Sequence, residues 1–148
     1  MDPLSSLSIA SSLVQLIDFA ARLVSGTYRI HTTASGERGS NSDVKFITDN
    51  LQELNNDICD SLSTSMALAP GASLRHSEII VLCSQCDEVA KQLISVLVKL
   101  DAKKGQGVWR SARQALLTLL SHDQLGRLQR RLDTFRQQIS MHILISLR

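Results

Sequence analysis

Hydrophobic residues recur at helical spacing along most of the chain. The clearest case is a single apolar seam that steps by three and four residues, formed by Val44, Ile47, Leu51, Leu54, Ile58 and Leu62. Polar residues fill the opposite face of this segment, which predicts an amphipathic helix with one buried side. Ser42 fits the N-cap of this helix, and the break at 69–73, with Pro70 and Gly71, ends it.

A first helix is predicted from the opening residues. Asp2 and Pro3 fit an N-cap followed by proline at the first helical position. Apolar residues occupy more than one face of this segment, so we expect burial on more than one side. Gly26 ends or kinks the helix, although the apolar pattern would allow it to continue to about Thr33. Residues 35–41 are predicted to form a loop.

Three more helices complete the pattern. The third runs from Leu74 or Ser77 to Leu100, and its broad apolar stripe suggests the central helix of the fold. A glycine-bearing basic turn at 103–107 precedes a short fourth helix, with apolar positions at Trp109, Ala112, Leu116 and Leu119. After a break at 121–123, a heptad seam predicts the fifth helix: Leu125, Leu128, Leu132, Phe135 and Ile139. Arginines lie on its outer face, and the apolar end 143–148 is expected to pack on the bundle.

These elements predict an all-α protein, an antiparallel bundle of four to five helices in one domain, 1–148. Composition agrees. Aromatic residues make up 3% of the chain, so the core must consist of Leu, Ile, Val and Ala, which suits helix packing.

Charge is distributed unevenly, although the net formal charge is only +2. Residues 1–102 carry 7 Lys and Arg against 12 Asp and Glu, a net of −5, whereas residues 103–148 carry 9 against 2, a net of +7. An acidic half packed beside a basic half explains this pattern. A basic surface for anionic lipid or nucleic acid is the alternative, and lipid is favoured over nucleic acid because the chain has no aromatic-interleaved basic stripe.

The sequence does not predict a catalytic, cofactor or metal site. Cys83 and Cys86 have redox or zinc-site spacing, but no second CxxC or histidine pair completes a site, and both fit small core positions. The odd number of cysteines indicates a reducing compartment. His142 lies on the seam of the fifth helix and is interpreted as a core histidine. We therefore predict that the chain is not an enzyme and binds no cofactor.

The first helix is unusual because no charged residue occurs from Pro3 to Ile17, where serines alternate with apolar residues. The chain contains no stretch of 18 strongly apolar residues, so an ordinary transmembrane helix is not predicted. Leu4 to Val24 nevertheless spans about 32 Å at 1.5 Å per residue, close to the hydrocarbon thickness, and Asp18 and Arg22 are spaced to pair. A buried bundle helix and a helix released from the bundle into a membrane both remain open.

Five ordered blocks of sequence resemble a known family. They are MDPLSSLSIASSLVQLIDFAARLVSGTYRIHTTASG, ITDNLQELNNDI, LCSQCDEVAKQLISVLVKL, VWRSARQALLTLLS and LDTFRQQISMHILISLR. Together they look like the N-terminal domain of fungal STAND (NLR-like) proteins, a HeLo-like family.

The resemblance implies an N-terminal effector domain of an immune or heterokaryon-incompatibility receptor, placed before a nucleotide-binding oligomerisation domain and repeats, or before an enzyme domain. Members that act as effectors oligomerise, move from the cytoplasm to the plasma membrane and insert an N-terminal helix, causing regulated cell death. The nucleotide-binding domain is absent here, so the chain is expected to be a fragment or a standalone version. By position, the membrane-inserting residues would be Leu4, Leu7, Ile9, Leu13, Val14, Leu16, Ile17, Phe19, Leu23 and Val24.

Two further expectations concern partners. Anionic lipid headgroups would contact the basic residues Lys103, Lys104, Arg110, Arg113, Arg127, Arg130 and Arg131. The alternative function is a docking module that assembles a signalling platform through an apolar patch and never enters lipid. Nucleic-acid binding by the arginines of the fifth helix is a weaker third interpretation.

Overall fold

The computed structural model describes the backbone of residues 3–29, 37–68, 74–102 and 111–146, with side chains for 7–29, 44–64, 77–100 and 111–145. Five helices occupy these ranges: α1 (Pro3–Ser25), α2 (Glu37–Leu68), α3 (Leu74–Ala102), α4 (Ala112–Leu117) and α5 (His122–Ser146). The described residues contain no strand beyond one isolated antiparallel bridge between Arg29 and Ser111. The predicted all-α helical bundle is confirmed.

The predicted apolar seams form the core. All five seam residues of α5 are buried, and on α2 four are buried while Leu54 and Leu62 are partly buried against the core. On α3 the stripe from Ile79 to Leu100 is buried as predicted, whereas Val98 is exposed. Helical periodicity located these faces because burial of one apolar stripe per helix dominates the stability of such a bundle.

The centre of the bundle is α1, where the sequence suggested α3. α1 packs extensively against both α2 and α5 and also contacts α3 and α4, while α3 packs mainly against α2. Leu13 and Leu23 of α1 are completely buried. The breadth of the α3 stripe was misleading because residues such as Val98 face solvent.

Of two predicted helix boundaries, one is confirmed and one is wrong. α1 stops at Ser25 because Gly26 has φ +89°, a left-handed conformation that ends helices and favours glycine, so the predicted end at Gly26 is confirmed and the alternative of a helix continuing to about Thr33 is excluded. α2 begins at Glu37, so Ser42 is not its N-cap and the predicted loop is already helical from Glu37. Glu37 and Arg38 are good helix formers, and the cost of Gly39, about 1 kcal/mol, is small enough for the helix to include it.

The last two helices begin at serine caps. Ser111 caps α4 by accepting a hydrogen bond from the Gln114 amide at 3.3 Å. Before α5, the Ser121 hydroxyl accepts from the Gln124 amide at 3.1 Å while the Gln124 side chain accepts from the Ser121 amide at 2.9 Å. This reciprocal pair is a capping box. The spacing Ser-x-x-Gln was present in the sequence and accounts for the break at 121–123.

The C-terminal apolar segment continues α5 to Ser146. Ile143 packs against the core, but Leu144 and Ile145 are exposed, so of the three described side chains in this segment, Ile143 alone packs on the bundle as expected. Trp109 and the basic turn 103–107 lie outside the described residues.

Candidate functional site

The surface of α1 carries no charge over its first described turns. Its solvent-facing residues before Asp18 are Ser8, Ser11, Val14 and Gln15, which we call the exposed α1 stripe. Among the described side chains of 7–17, none makes a hydrogen bond or an ion pair. This part of α1 is therefore attached to the bundle by apolar packing alone.

The predicted membrane-inserting residues form most of the buried face of α1. Seven are buried in the core: Ile9, Leu13, Leu16, Ile17, Phe19, Leu23 and Val24. Leu7 is partly exposed, Val14 is 40% exposed, and the Leu4 side chain lies outside the described part. The structure therefore brings these residues together as core.

The segment Leu7–Ser25 is long and apolar enough to cross a membrane by length and composition alone. The sequence contains no 18 strongly apolar residues in a row; this segment meets the criterion through its mean hydropathy, with its serines and the charged Asp18 and Arg22 included. Half of the segment is buried inside the bundle, and the core helix of a soluble protein meets the same criterion. The criterion is thus compatible with both interpretations of α1.

Polar contacts begin at Asp18. Its carboxylate pairs with Arg22 one turn later at 3.6 Å, as the spacing predicted, and with Arg136 of α5 at 3.5 Å. All three side chains are at least half exposed, so each pair contributes only about 0–1 kcal/mol. The Arg22 guanidinium also lies 5.8 Å from the centre of the Phe19 ring.

The C-terminal end of α1 is bound to the segment that begins α4. Arg113 donates a part-buried hydrogen bond of 2.6 Å to the carbonyl oxygen of Val24, one of the carbonyls that a helix end leaves without a partner. The Ala112 amide donates to the Tyr28 carbonyl at 3.0 Å. At Gly26, a Cβ would lie 3.4 Å from the Arg113 side chain. The C-terminal end of α1 is therefore held by specific polar contacts that are absent among the described side chains of residues 7–17.

The structure describes four of the seven predicted headgroup contacts, and these four lie in three different settings. Lys103, Lys104 and Arg110 lie outside the described residues, and Arg113 is engaged with α1. Arg127 and Arg130 are exposed on α5, while Arg131 pairs with Glu88 at 3.4 Å and lies over the Phe135 ring.

Among the described residues, two ion pairs join the basic C-terminal part of the chain to its acidic part. They are Arg131–Glu88 and Arg136–Asp18. This is the intramolecular arrangement that the charge asymmetry suggested. Both pairs are substantially exposed, so they orient the helices more than they stabilise them.

The cysteines of α3 are core residues, as predicted. Burial raises the pKa of Cys83 and of Cys86 to about 12, so both remain protonated thiols at neutral pH. Cys59 on α2 is exposed, and partial burial raises its pKa as well. The described residues contain no cluster of histidine, cysteine or carboxylate side chains that could hold a metal ion.

A polar contact between α2 and α3 was not anticipated from the sequence. The buried Asn55 amide donates to Asp87 at 2.8 Å, and Lys91 pairs with the other Asp87 oxygen at 3.0 Å. Burial raises the pKa of Asp87, but the hydrogen bonds from Asn55 and Lys91 outweigh it and hold that pKa below its usual value. The Asn55 carbonyl oxygen is buried without a partner.

A groove of about 570 Å³ separates the start of α3 from the end of α5. Ile79 and Leu82 of α3 are buried apolar residues in its lining, and Met141 and Ile145 of α5 are exposed ones. His142, predicted to be a core histidine, is only partly buried and lines the groove. The groove is thus lined by apolar and polar side chains together.

No protein-family model, curated protein or solved structure matches this chain. Its function is therefore inferred from two features of the molecule: an apolar helix held mainly by packing, and an open apolar groove.

Proposed function

We propose that this chain is the N-terminal effector domain of a fungal NLR-like receptor, and that α1 leaves the bundle and enters a membrane when the domain is activated. The observation that carries the proposal is the absence of charge and of polar side-chain contacts from Leu7 to Ile17, on both the buried face and the exposed α1 stripe. The resemblance of the five sequence blocks to HeLo-like domains supports the same function.

Transfer to lipid differs energetically from release into water. Burial of a large apolar side chain contributes about 1.5–3 kcal/mol, and α1 buries seven of them. Exposing all of them to water would cost on the order of 10–20 kcal/mol, comparable to the 5–15 kcal/mol that stabilises an entire domain. Hydrocarbon accepts the same side chains at little cost, so a membrane makes the transfer feasible.

The charges of α1 limit how far it can insert. The charge-free segment from Pro3 to Ile17 is about 22 Å long, shorter than a hydrocarbon core of about 30 Å. A charged residue at the centre of a bilayer costs about 2.5–3.5 kcal/mol. We therefore expect α1 to enter by its N-terminal end, with Asp18 and Arg22 remaining near the interface where they can stay paired.

The other parts of the proposal follow from the state in which α1 has left the bundle and lies in the membrane. The domain is cytoplasmic at rest and relocates to the plasma membrane when activated, where exposed arginines such as Arg127 and Arg130 contact anionic headgroups. Removal of α1 uncovers apolar faces of α2, α3 and α5. Homo-oligomers would cover these faces again. The downstream nucleotide-binding domain of the full-length receptor would control this release.

The test must avoid the core. Leu13 and Ile17 are buried, so charged residues there would unfold the bundle, and deletion of α1 would remove its centre. A polarity-sensitive fluorophore is instead attached to Ser11→Cys, with Cys59→Ser to leave no other exposed thiol among the described residues. The control carries the same fluorophore at Ser95→Cys, an exposed position of α3.

With vesicles containing phosphatidylserine, we expect a blue shift and quenching by brominated lipid for the Ser11 probe, and continued quenching by aqueous iodide for the Ser95 probe. Neutral phosphatidylcholine vesicles should give a weaker effect. A Ser11 probe that stays accessible to iodide on protein bound to vesicles would contradict the proposal.

The second candidate function is a docking module that does not enter lipid. It is favoured by the exposed apolar residues Met141, Leu144 and Ile145 at the end of α5, which resemble an interaction surface. Stable assembly in solution with no vesicle binding in the experiment above would favour this function.

A further inference from the structure

The groove between α3 and α5 gathers exposed apolar side chains. Of the seven large apolar residues exposed in the described part of the chain, Val81, Met141 and Ile145 line this groove and Leu144 is adjacent to them on α5. Met141 and Leu144 are 62% and 63% exposed. Single exposed apolar residues are ordinary on a protein surface, whereas a group around a concave surface indicates a contact site.

The groove lies between two helices, α3 and α5, and an amphipathic helix binds an apolar groove of this kind through anchors spaced at i, i+3 and i+4. Met141, Leu144 and Ile145 have this spacing on α5 itself. The same segment therefore forms one wall of the groove and presents a set of anchors that would fit it.

We infer that the groove binds the C-terminal half of α5 from a second copy of this chain, in a two-fold arrangement. A two-fold interface uses the same patch on both subunits, so it requires a self-complementary surface, and this segment supplies both wall and anchors. This inference identifies the surface through which the chain would self-associate in the proposed function. It rests on the proposed function only for the role that the dimer would have.

The charges support this occupant. From Gln137 to Ile145, α5 contains no aspartate, glutamate, lysine or arginine, and among the described side chains Glu78 is the one residue of these types that lines the groove. Two such segments can pack without burying unpaired charges, which would be costly. In an antiparallel pairing about Met141, the arginines at 127–136 of the two copies lie at opposite ends and do not repel each other.

The size of the patch predicts the strength of association. Stable interfaces bury about 800 Å² on each partner, more than a few side chains and one groove provide. We therefore expect a reversible dimer that is weaker than complexes of standard interface size.

Sedimentation velocity over a concentration series tests this inference in the whole chain. We expect wild type to dimerise, Met141→Asp to remain monomeric, and Val98→Asp to dimerise like wild type. Val98 is also an exposed apolar residue of α3, 53% exposed, and lies about 20 Å along the helix from the groove residue Gln85. Circular dichroism of the variants checks that both fold.

A cross-link locates the contact. In a Cys59→Ser background, a short bismaleimide should join two copies at Met141→Cys and fail to do so at Val98→Cys. The inference would be overturned by a wild type that stays monomeric throughout the series, by equal dimerisation of Met141→Asp, or by equal cross-linking at both positions. If another protein occupies the groove, the wild type stays monomeric.

Vesicle leakage measured on the same samples separates the two proposals. Leakage from a chain that stays monomeric would overturn this inference and leave the membrane function intact. A dimer that dissociates with Met141→Asp, from a chain that never permeabilises vesicles, supports this inference and contradicts the membrane function.

Discussion

The guanidinium of Arg113 lies 2.6 Å from the carbonyl oxygen of Val24 and donates a part-buried hydrogen bond to the last turn of α1. The carbonyl end of a helix carries partial negative charge and unpaired acceptors, so a cation stabilises it. Toward the other end of α1, the described side chains of residues 7–17 are held by packing. If α1 separates from the bundle, its N-terminal part should separate first, with the 22–29 segment as the pivot against α4.

Arg113→Gln should weaken this anchor. Loss of a hydrogen bond from a charged group costs about 1.5–3 kcal/mol, so we expect a decrease in the free energy of unfolding of that size in urea titrations. Vesicle leakage should begin at a lower protein concentration, because α1 is held less strongly. Arg127→Gln, an exposed arginine of α5, removes the same charge as a control and should change stability by less than about 0.5 kcal/mol. Equal stability of the two variants would contradict the anchoring role.

Two glycine substitutions should have opposite effects. Gly26→Ala places a Cβ on a residue with φ +89° and 3.4 Å from the Arg113 side chain, so we expect destabilisation by about 1–2 kcal/mol. Gly126→Ala lies within α5, where the nearest atom to a new Cβ is 3.9 Å away, and should stabilise by about 0.5–1 kcal/mol. Thermal unfolding of the pair compares them. A neutral Gly26→Ala would show that the left-handed turn is not required.

The Asp87 contact should make stability dependent on pH. Because hydrogen bonds hold the pKa of Asp87 below its usual value, the carboxylate stabilises the fold at neutral pH, and this contribution is lost as the pH falls through the lowered pKa. Asp87→Asn should be less stable than wild type by about 1 kcal/mol at pH 7, and the difference should shrink below about pH 4. Urea titrations at several pH values measure it. A difference that stays constant down to pH 2 would contradict this assignment.

Local pattern predicted much of the fold. The α5 seam from Leu125 to Ile139 and the α2 seam were predicted correctly because each depends only on residues three or four apart on one face. The start of α2 was predicted wrongly. Ser42 fits a helix cap, but the turn that precedes it is stable enough as a helix for α2 to begin at Glu37.

Periodicity could not predict contacts between residues that are far apart in the sequence. Arg113 and Val24 are 89 residues apart, and a sequence pattern does not show which arginine reaches a helix end. The predicted headgroup role of Arg113 came from its charge alone. The centrality of α1 was missed for the same reason: its apolar faces were visible, but the helices that cover them were not.

Dye leakage from phosphatidylserine vesicles, comparing Val14→Glu with Val98→Glu, tests the central claim most directly. Both valines are exposed, at 40% and 53%, so both variants should fold like wild type and carry the same net charge. With Asp18 at the interface, Val14 lies about 6 Å inside it, so a charge there costs less than the roughly 2.5–3.5 kcal/mol of the bilayer centre, and the loss of insertion is at most roughly a hundredfold. We predict that Val14→Glu abolishes most leakage while Val98→Glu leaks like wild type. Equal leakage by the two variants would contradict insertion of α1.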